Sequence, residues 1–178
     1  MKTLIAYYSF TQNNEKLAKH LQRQLNCDIV KIETKNKRNG FSILLDLVFK
    51  RKPEIKPVSY YLHDYDHVIF LAPIWAGKIA MPMKSFLNKE KANINQYSFV
   101  TLCGGNPGQK EKILDELTAT LQKRPVKLLE LWVSDLLPAE KRGANQHSSR
   151  FRIEADGFAG FESQISNFIK EENMVNSI

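Results

Sequence analysis

Cysteine is scarce in this chain, and its spacing excludes two architectures. Cys27 and Cys103 are the only two cysteines, and they form neither a C-x-x-C pair nor a Cys/His ligand spacing. No disulfide framework and no metal site is expected, and both thiols are expected to be reduced. Long apolar runs are missing too. Segments such as 68–73 fall far short of the roughly 20 residues of a membrane-spanning helix, and the first residues lack the apolar stretch of a secretory signal. The expectation is a soluble, cytoplasmic protein without a membrane span. Acidic residues are also in short supply, 19 against 26 Lys and Arg, for a net charge of +7. Much of the excess falls in 31–56, where Lys35, Lys37, Arg38 and the run Lys50-Arg51-Lys52 outnumber Glu33, Asp46 and Glu54. No nucleic-acid motif accompanies the charge, so a solvated basic face is expected rather than a nucleic-acid partner.

Several signature motifs are absent as well. There is no G-x-x-x-x-G-K-[ST] for a P-loop, no G-x-G-x-x-G after a strand for a dinucleotide site, and no G-x-S-x-G for a serine hydrolase. A phosphorylated receiver domain would need acids after the first strand, where Tyr7, Tyr8 and Ser9 stand.

What the chain does have is alternation. Its 178 residues, 43% hydrophobic, suffice for one sizeable core, so a single domain over 1–178 is expected. Apolar, β-branched runs predict strands over 3–9, 27–32, 66–72, 96–103 and 126–133. Helical spacing predicts helices over 15–25, 41–49, 82–89, 109–123 and 158–171, the second with an apolar face of Phe41, Leu44, Leu45 and Val48. The run DHVIFLA at 66–72 has no polar alternation, as a strand covered on both faces requires. Five strand-helix alternations predict a parallel sheet with helices on both faces, a three-layer α/β sandwich.

In such sheets ligands sit beyond the carboxyl ends of the strands. Three loops leave that edge. After the first strand come Ser9, Phe10, Thr11, Gln12, Asn13 and Asn14, whose hydroxyls and successive N–H groups at a helix N-terminus suit a phosphate. After the third come Pro73, Ile74, Trp75, Ala76, Gly77 and Lys78, which put a flat ring beside a glycine. After the fourth come Cys103, Gly104, Gly105 and Asn106, nearly without side chains. Together they describe a pocket for a phosphorylated planar molecule.

The stretch YYSFTQNN at 7–14 resembles the phosphate-binding loop of the flavodoxin-like family, usually Ser/Thr-x-Thr-Gly-Asn-Thr, and 66–87 resembles that family's third strand, flavin loop and following helix. The resemblance implies a five-stranded sheet of order 2-1-3-4-5 and non-covalent FMN. Ser9 and Thr11 would bond the phosphate, with backbone N–H groups from Phe10 to Asn14 closing around it. The ring system would lie between the 73–78 and 103–106 loops, with Trp75 against a face. Gln12 stands where the family usually has glycine, and Asn14 where it usually has threonine. The implied function is electron transfer, as an NAD(P)H-dependent flavin oxidoreductase of quinone reductase type or as a carrier with a small-molecule or protein redox partner. Catalysis would belong to the cofactor, with no catalytic side chain. The alternative is a non-catalytic ligand-binding module that keeps the fold without flavin affinity.

Cys103, followed by two glycines, could be a nucleophile with His147 as its base, but no arginine follows to hold a phosphate, and a buried, inert thiol is the preferred reading. The polar loop at 134–156 is long for a strand-helix connection and carries Lys141, Arg142, His147, Arg150 and Arg152. It is expected either to border the flavin or to form a solvated basic excursion.

Overall fold

A computed structural model describes residues 2–49, 51–137, 140, 151–154 and 157–175. The elements run β1 Thr3–Tyr7, α1 Asn13–Leu25, β2 Asp28–Lys31, α2 Gly40–Phe49, β3 His67–Leu71, β4 Ile74–Trp75 and β5 Lys78–Ile79. Then follow α3 Met81–Glu90, β6 Gln96–Cys103, α4 Gln109–Leu121, β7 Leu128–Trp132, α5 Val133–Leu136 and α6 Glu162–Val175. Five strands form one sheet in the order β2-β1-β3-β6-β7, every pair parallel. With the small β4/β5 hairpin set aside, that is the expected order 2-1-3-4-5.

The period of two along each strand builds two cores. Leu4, Val68, Phe70 and Phe99 face α3 and α4, meeting Met83, Phe86, Ile113 and Leu117. Ile5, Ile69, Val100 and Leu102 face the other way, meeting Leu17 and Leu21 of α1 and Ile165 and Phe168 of α6. Every residue of β3 is buried. A parallel sheet covered on both faces leaves only its two strand-end edges free, which is why the loops at the carboxyl edge carry the candidate site.

The short helix α5 takes Val133, read as strand, and the first residues of the segment read as the loop 134–156, and two larger features depart from the sequence expectation. The segment 73–78, read as a loop, folds back as the hairpin β4/β5, with Ala76 and Gly77 at φ 48° and 72°. Two positive φ values are what a two-residue turn of type I′ requires. The second departure is α2. The helix forms, but Phe41, Leu44 and Val48 of its apolar face point outward, 69%, 55% and 63% exposed. The chain after α2 packs on the sheet instead, with Leu62 and Tyr65 buried in the core and Ile55, Val58 and Tyr60 packed against it.

At the amino edge of the sheet, opposite the loops, sits a buried polar knot. His67 Nε2 lies 3.0 Å from Glu172 Oε2 and 3.1 Å from Ser98 Oγ, and Ser98 Oγ donates to Glu172 Oε1 at 2.5 Å. The three residues are at most 1% exposed, so this Ser/His/Glu group meets no substrate and serves to pin α6 to β3 and β6. Glu172→Ala would leave a buried imidazole and hydroxyl without their acceptor and should cost about 2–4 kcal/mol. Glu171→Ala, which removes only an exposed pair with Lys127, should cost under about 1 kcal/mol. Urea unfolding of the two variants checks the contrast.

Candidate functional site

The chain leaves β1 at Tyr7, turns through Tyr8 to Gln12, and enters α1 at Asn13. Gln12 precedes the helix in the left-handed region, φ 69°, and its side chain makes no capping bond. The first intrahelical bond runs from Lys16 N to Gln12 O at 2.9 Å. By helix geometry the N–H groups before it have no intrahelical acceptor and point out of the helix end. Ser9 Oγ, in the turn just before, is buried and has no hydrogen-bond partner. Phe10 is 41% exposed, and Thr11 is half-buried.

Asn13 and Asn14 turn their amides inward. Asn14 Nδ2 donates to Leu102 O at 3.1 Å and Asn14 Oδ1 accepts from Leu102 N at 3.0 Å. Asn13 does the same for the segment before α6, donating to Phe151 O at 3.0 Å and accepting from Ile153 N at 3.1 Å. Toward a ligand both residues therefore offer backbone N–H, not side chain. Sequence alone does not show that these amides face inward, because a buried amide that mimics a strand partner cannot be told from an exposed one.

The hairpin brings Trp75 against the first loop. Its ring meets Tyr8 edge-on at 5.9 Å between centroids and Phe10 edge-on at 6.1 Å. Pro73 O accepts from Ala80 N at 3.0 Å and closes the hairpin, and Ile74 packs on the core. Ala76 is exposed at the tip, beside a half-buried Gly77. Lys78 turns elsewhere: it lines a cavity of about 470 Å³ with Asp46, Lys84 and Glu116. Burial raises the Tyr8 phenol to about 12, so it stays neutral and able to donate.

In the third loop Gly104 is half-buried and Asn106 exposed, with Asn106 O accepting from Gln109 N at 3.2 Å. Gly105 has φ 85°, and a Cβ there would lie 2.6 Å from the ring of Trp132. The last residue of β7 thus lays an indole over the glycine loop, an aromatic that sequence reasoning missed because Trp132 reads as the end of a strand. Cys103 is 6% exposed, and Gln109 Nε2 donates to its Sγ at 3.1 Å. Burial raises its thiol to about 11. That is an inert thiol, and His147 lies outside the described residues.

Two cavities flank the first loop. One, about 330 Å³, is lined by Phe10, Thr11, Gln12, Lys16 and Arg152. The other, about 470 Å³, is lined by Tyr8, Ser9 and Phe10 and by the chain after β2 through Arg38. The phosphate-type loop has no basic residue of its own, yet the fold delivers two cations to its rim. Lys16 is the fourth residue of α1 and donates to Ile153 O at 2.6 Å, tying down the strip that carries Arg152. Of the predicted loop 134–156, Lys141, Arg142, His147 and Arg150 lie outside the described residues.

No protein-family model matches the chain, and no curated protein matches it. Solved structures do. A flavoprotein from Lactobacillus acidophilus, determined in complex with FMN, superposes with a TM-score of 0.63 at 17% identity, covering 72% of this chain and 92% of that one. A chain from Bacteroides uniformis described as a flavoprotein gives a TM-score of 0.65 at 18% identity over 74% and 90%. Another from Bacteroides eggerthii gives 0.63 at 18% over 74% and 87%.

The fold is flavodoxin-like. At these identities the likeness carries the architecture and nothing finer. Within this flavodoxin-like sheet the structure brings together the loops at 8–14 and 73–75 through Trp75, and ties 8–14 through Asn14 to Leu102 of β6, just ahead of the loop at 103–106.

Two outcomes are expected from this geometry. Gln12→Gly should raise stability by up to about 1 kcal/mol by relieving the left-handed backbone, read as a higher urea midpoint. Cys103 should resist alkylation at neutral pH in the folded protein and react at the ordinary thiol rate in denaturant, followed by mass spectrometry.

Proposed function

We propose that this chain binds FMN without a covalent bond and works in electron transfer. The observation that carries the reading is Ser9 Oγ, a buried hydroxyl without a partner, set beside the open N-terminus of α1. A buried polar atom left unpaired costs free energy, and a phosphate at this spot would satisfy it together with the helix N–H groups. Lys16 and Arg152 on the rim add positive charge toward the same point. FMN is the phosphorylated planar group that suits the three loops, and the solved relative from Lactobacillus acidophilus holds it.

In this reading Ser9, Thr11 and the backbone from Phe10 to Asn14 bind the phosphate. The loops at 73–78 and 103–106 flank the ring system, with Trp75, Tyr8 and Trp132 as the aromatic groups at hand. FMN, once bound, supplies the one- and two-electron chemistry, and the chain supplies position and shielding from water. Among the described residues, burial holds the Cys103 thiol and the Tyr8 phenol neutral at neutral pH. The finer assignment is a cytoplasmic, single-domain NAD(P)H-dependent oxidoreductase. Supporting it are the basic balance of +7 and the cations beside the first loop, which favour an anionic reductant over the basic partners that an acidic carrier attracts.

A visible absorption spectrum after FMN addition and desalting tests the binding, and anaerobic NADPH then tests the donor. Retained flavin bands that bleach with NADPH are expected. Bands that NADPH does not bleach mean a carrier reduced by another protein, and no retained flavin means a ligand-binding module of another kind. Ser9→Ala should weaken FMN binding about tenfold by removing one bond to a charged group. Lys16→Met should weaken it in the same direction, and more at low ionic strength than at high.

A further inference from the structure

Helix α2 is built the wrong way out for a soluble helix. Of the seven large apolar side chains exposed among the described residues, four are on its ten residues: Phe41, Leu44, Val48 and Phe49. Phe41, Leu44 and Val48 stand at i, i+3 and i+7, so they form one continuous stripe. The helix has a single acidic residue, Asp46. It is turned inward, 4% exposed, and neutralised there by Arg38. The outward face therefore presents apolar groups and no negative charge.

Positive charge brackets the stripe. Lys37 stands before the helix, and Arg51 and Lys52 stand after it, with Lys50 between them and Phe49 in the sequence. Among the described residues no carboxylate is in salt-bridge reach of Lys37, Arg51 or Lys52. The Arg51 guanidinium lies 5.5 Å from the Phe49 ring centroid, which joins the basic end to the apolar stripe. The flanking pairs Lys35–Glu54 and Lys56–Glu33 are exposed and little stronger than solvation.

We infer that α2 is the docking face for an anionic lipid surface, lying in the plane of the interface. Large aliphatic and aromatic groups on one side, lysines and arginine at both ends and no outward acid are what an acyl boundary beneath negative headgroups selects. At ten residues the helix is about 15 Å long, enough to lie along a bilayer and too short to cross one. No helix of the described residues is long and apolar enough to span. The rim favours a lipid over a protein occupant: its two flanking acids, Glu54 and Glu33, are each paired with a lysine, and Lys37, Arg51 and Lys52 leave the balance positive, whereas a protein partner meets a mixed polar rim with hydrogen-bonding groups. Lys37 and Arg38 also line the cavity reached from Tyr8, Ser9 and Phe10, so a docked surface borders the candidate redox site. The inference stands whether or not FMN binds.

Co-sedimentation of the full chain with vesicles tests it. Binding to vesicles of phosphatidylcholine mixed with phosphatidylglycerol is expected, with at least about tenfold weaker binding to phosphatidylcholine alone and to either at high salt. Phe41→Glu with Val48→Glu should reduce binding at least about tenfold, as should Arg51→Glu with Lys52→Glu. Val126→Glu, at another exposed apolar position, should leave it unchanged. All changed side chains are at the surface, and far-UV circular dichroism with a thermal melt verifies that each variant folds.

Three outcomes overturn the proposal. One is no binding to the anionic vesicles. A second is binding that survives Phe41→Glu with Val48→Glu, which would mean net charge alone. The third is self-association abolished by that double variant without vesicle binding, which would make the occupant a second copy of this chain.

Discussion

β6 outruns its neighbour β3, and the amide of Asn14 fills the gap. The last register pair between the two strands is Leu71 with Val100, while β6 continues to Cys103. Leu102 would otherwise expose an N–H and a C=O where no strand reaches them, and a buried unpaired backbone group is costly. Asn14 satisfies both from the first turn of α1. The same bond fixes the end of β6 against the helix N-terminus, so the glycine loop and the phosphate-type loop keep their relative positions. Asn13 repeats the device for 151–153. Two adjacent amides thus hold three separated segments of chain at one edge of the sheet.

That rigidity explains the chemistry left at the edge. With the asparagine side chains engaged, the first loop offers a helix end of backbone donors and the unpaired, buried Ser9 hydroxyl. Both are neutral donors, and the charge comes from Lys16 and Arg152 on the rim. The nucleophile-like groups elsewhere are silenced by burial: Cys103 by desolvation, and Ser98 by enclosure with His67 and Glu172. Among the described residues, the groups left open at this edge are donors suited to an anion.

The connection between β2 and β3 obeys a different constraint. Its returning half, with Leu62 and Tyr65, covers the sheet, and the helix before it keeps its apolar stripe in solvent. Burying Asp46 with Arg38 anchors α2 by its polar side, the reverse of an ordinary surface helix. Of the positive charge in 31–56, Lys37, Arg51 and Lys52 flank this stripe in the sequence, while Lys31, Lys35 and Lys56 are exposed and paired with acids.

The sequence alone determined the sheet, its five strands and most helices, because apolar period is a local property and β3 or α4 must bury the same residues in any context. It also placed the three loops, since connectivity decides which residues follow a strand. The tertiary structure decided what those loop residues face. Asn14 looks like a ligand donor until Leu102 is beside it, Gly105 like a plain turn until Trp132 lies over it, and the first loop uncharged until 151–153 brings Arg152 to its rim. The outward stripe of α2 is also a tertiary outcome: its period marks an apolar face, but which way that face points depends on what else packs on the sheet, here Leu62 and Tyr65. Each of these depends on contacts between residues far apart in the chain, and a local pattern does not hold that information.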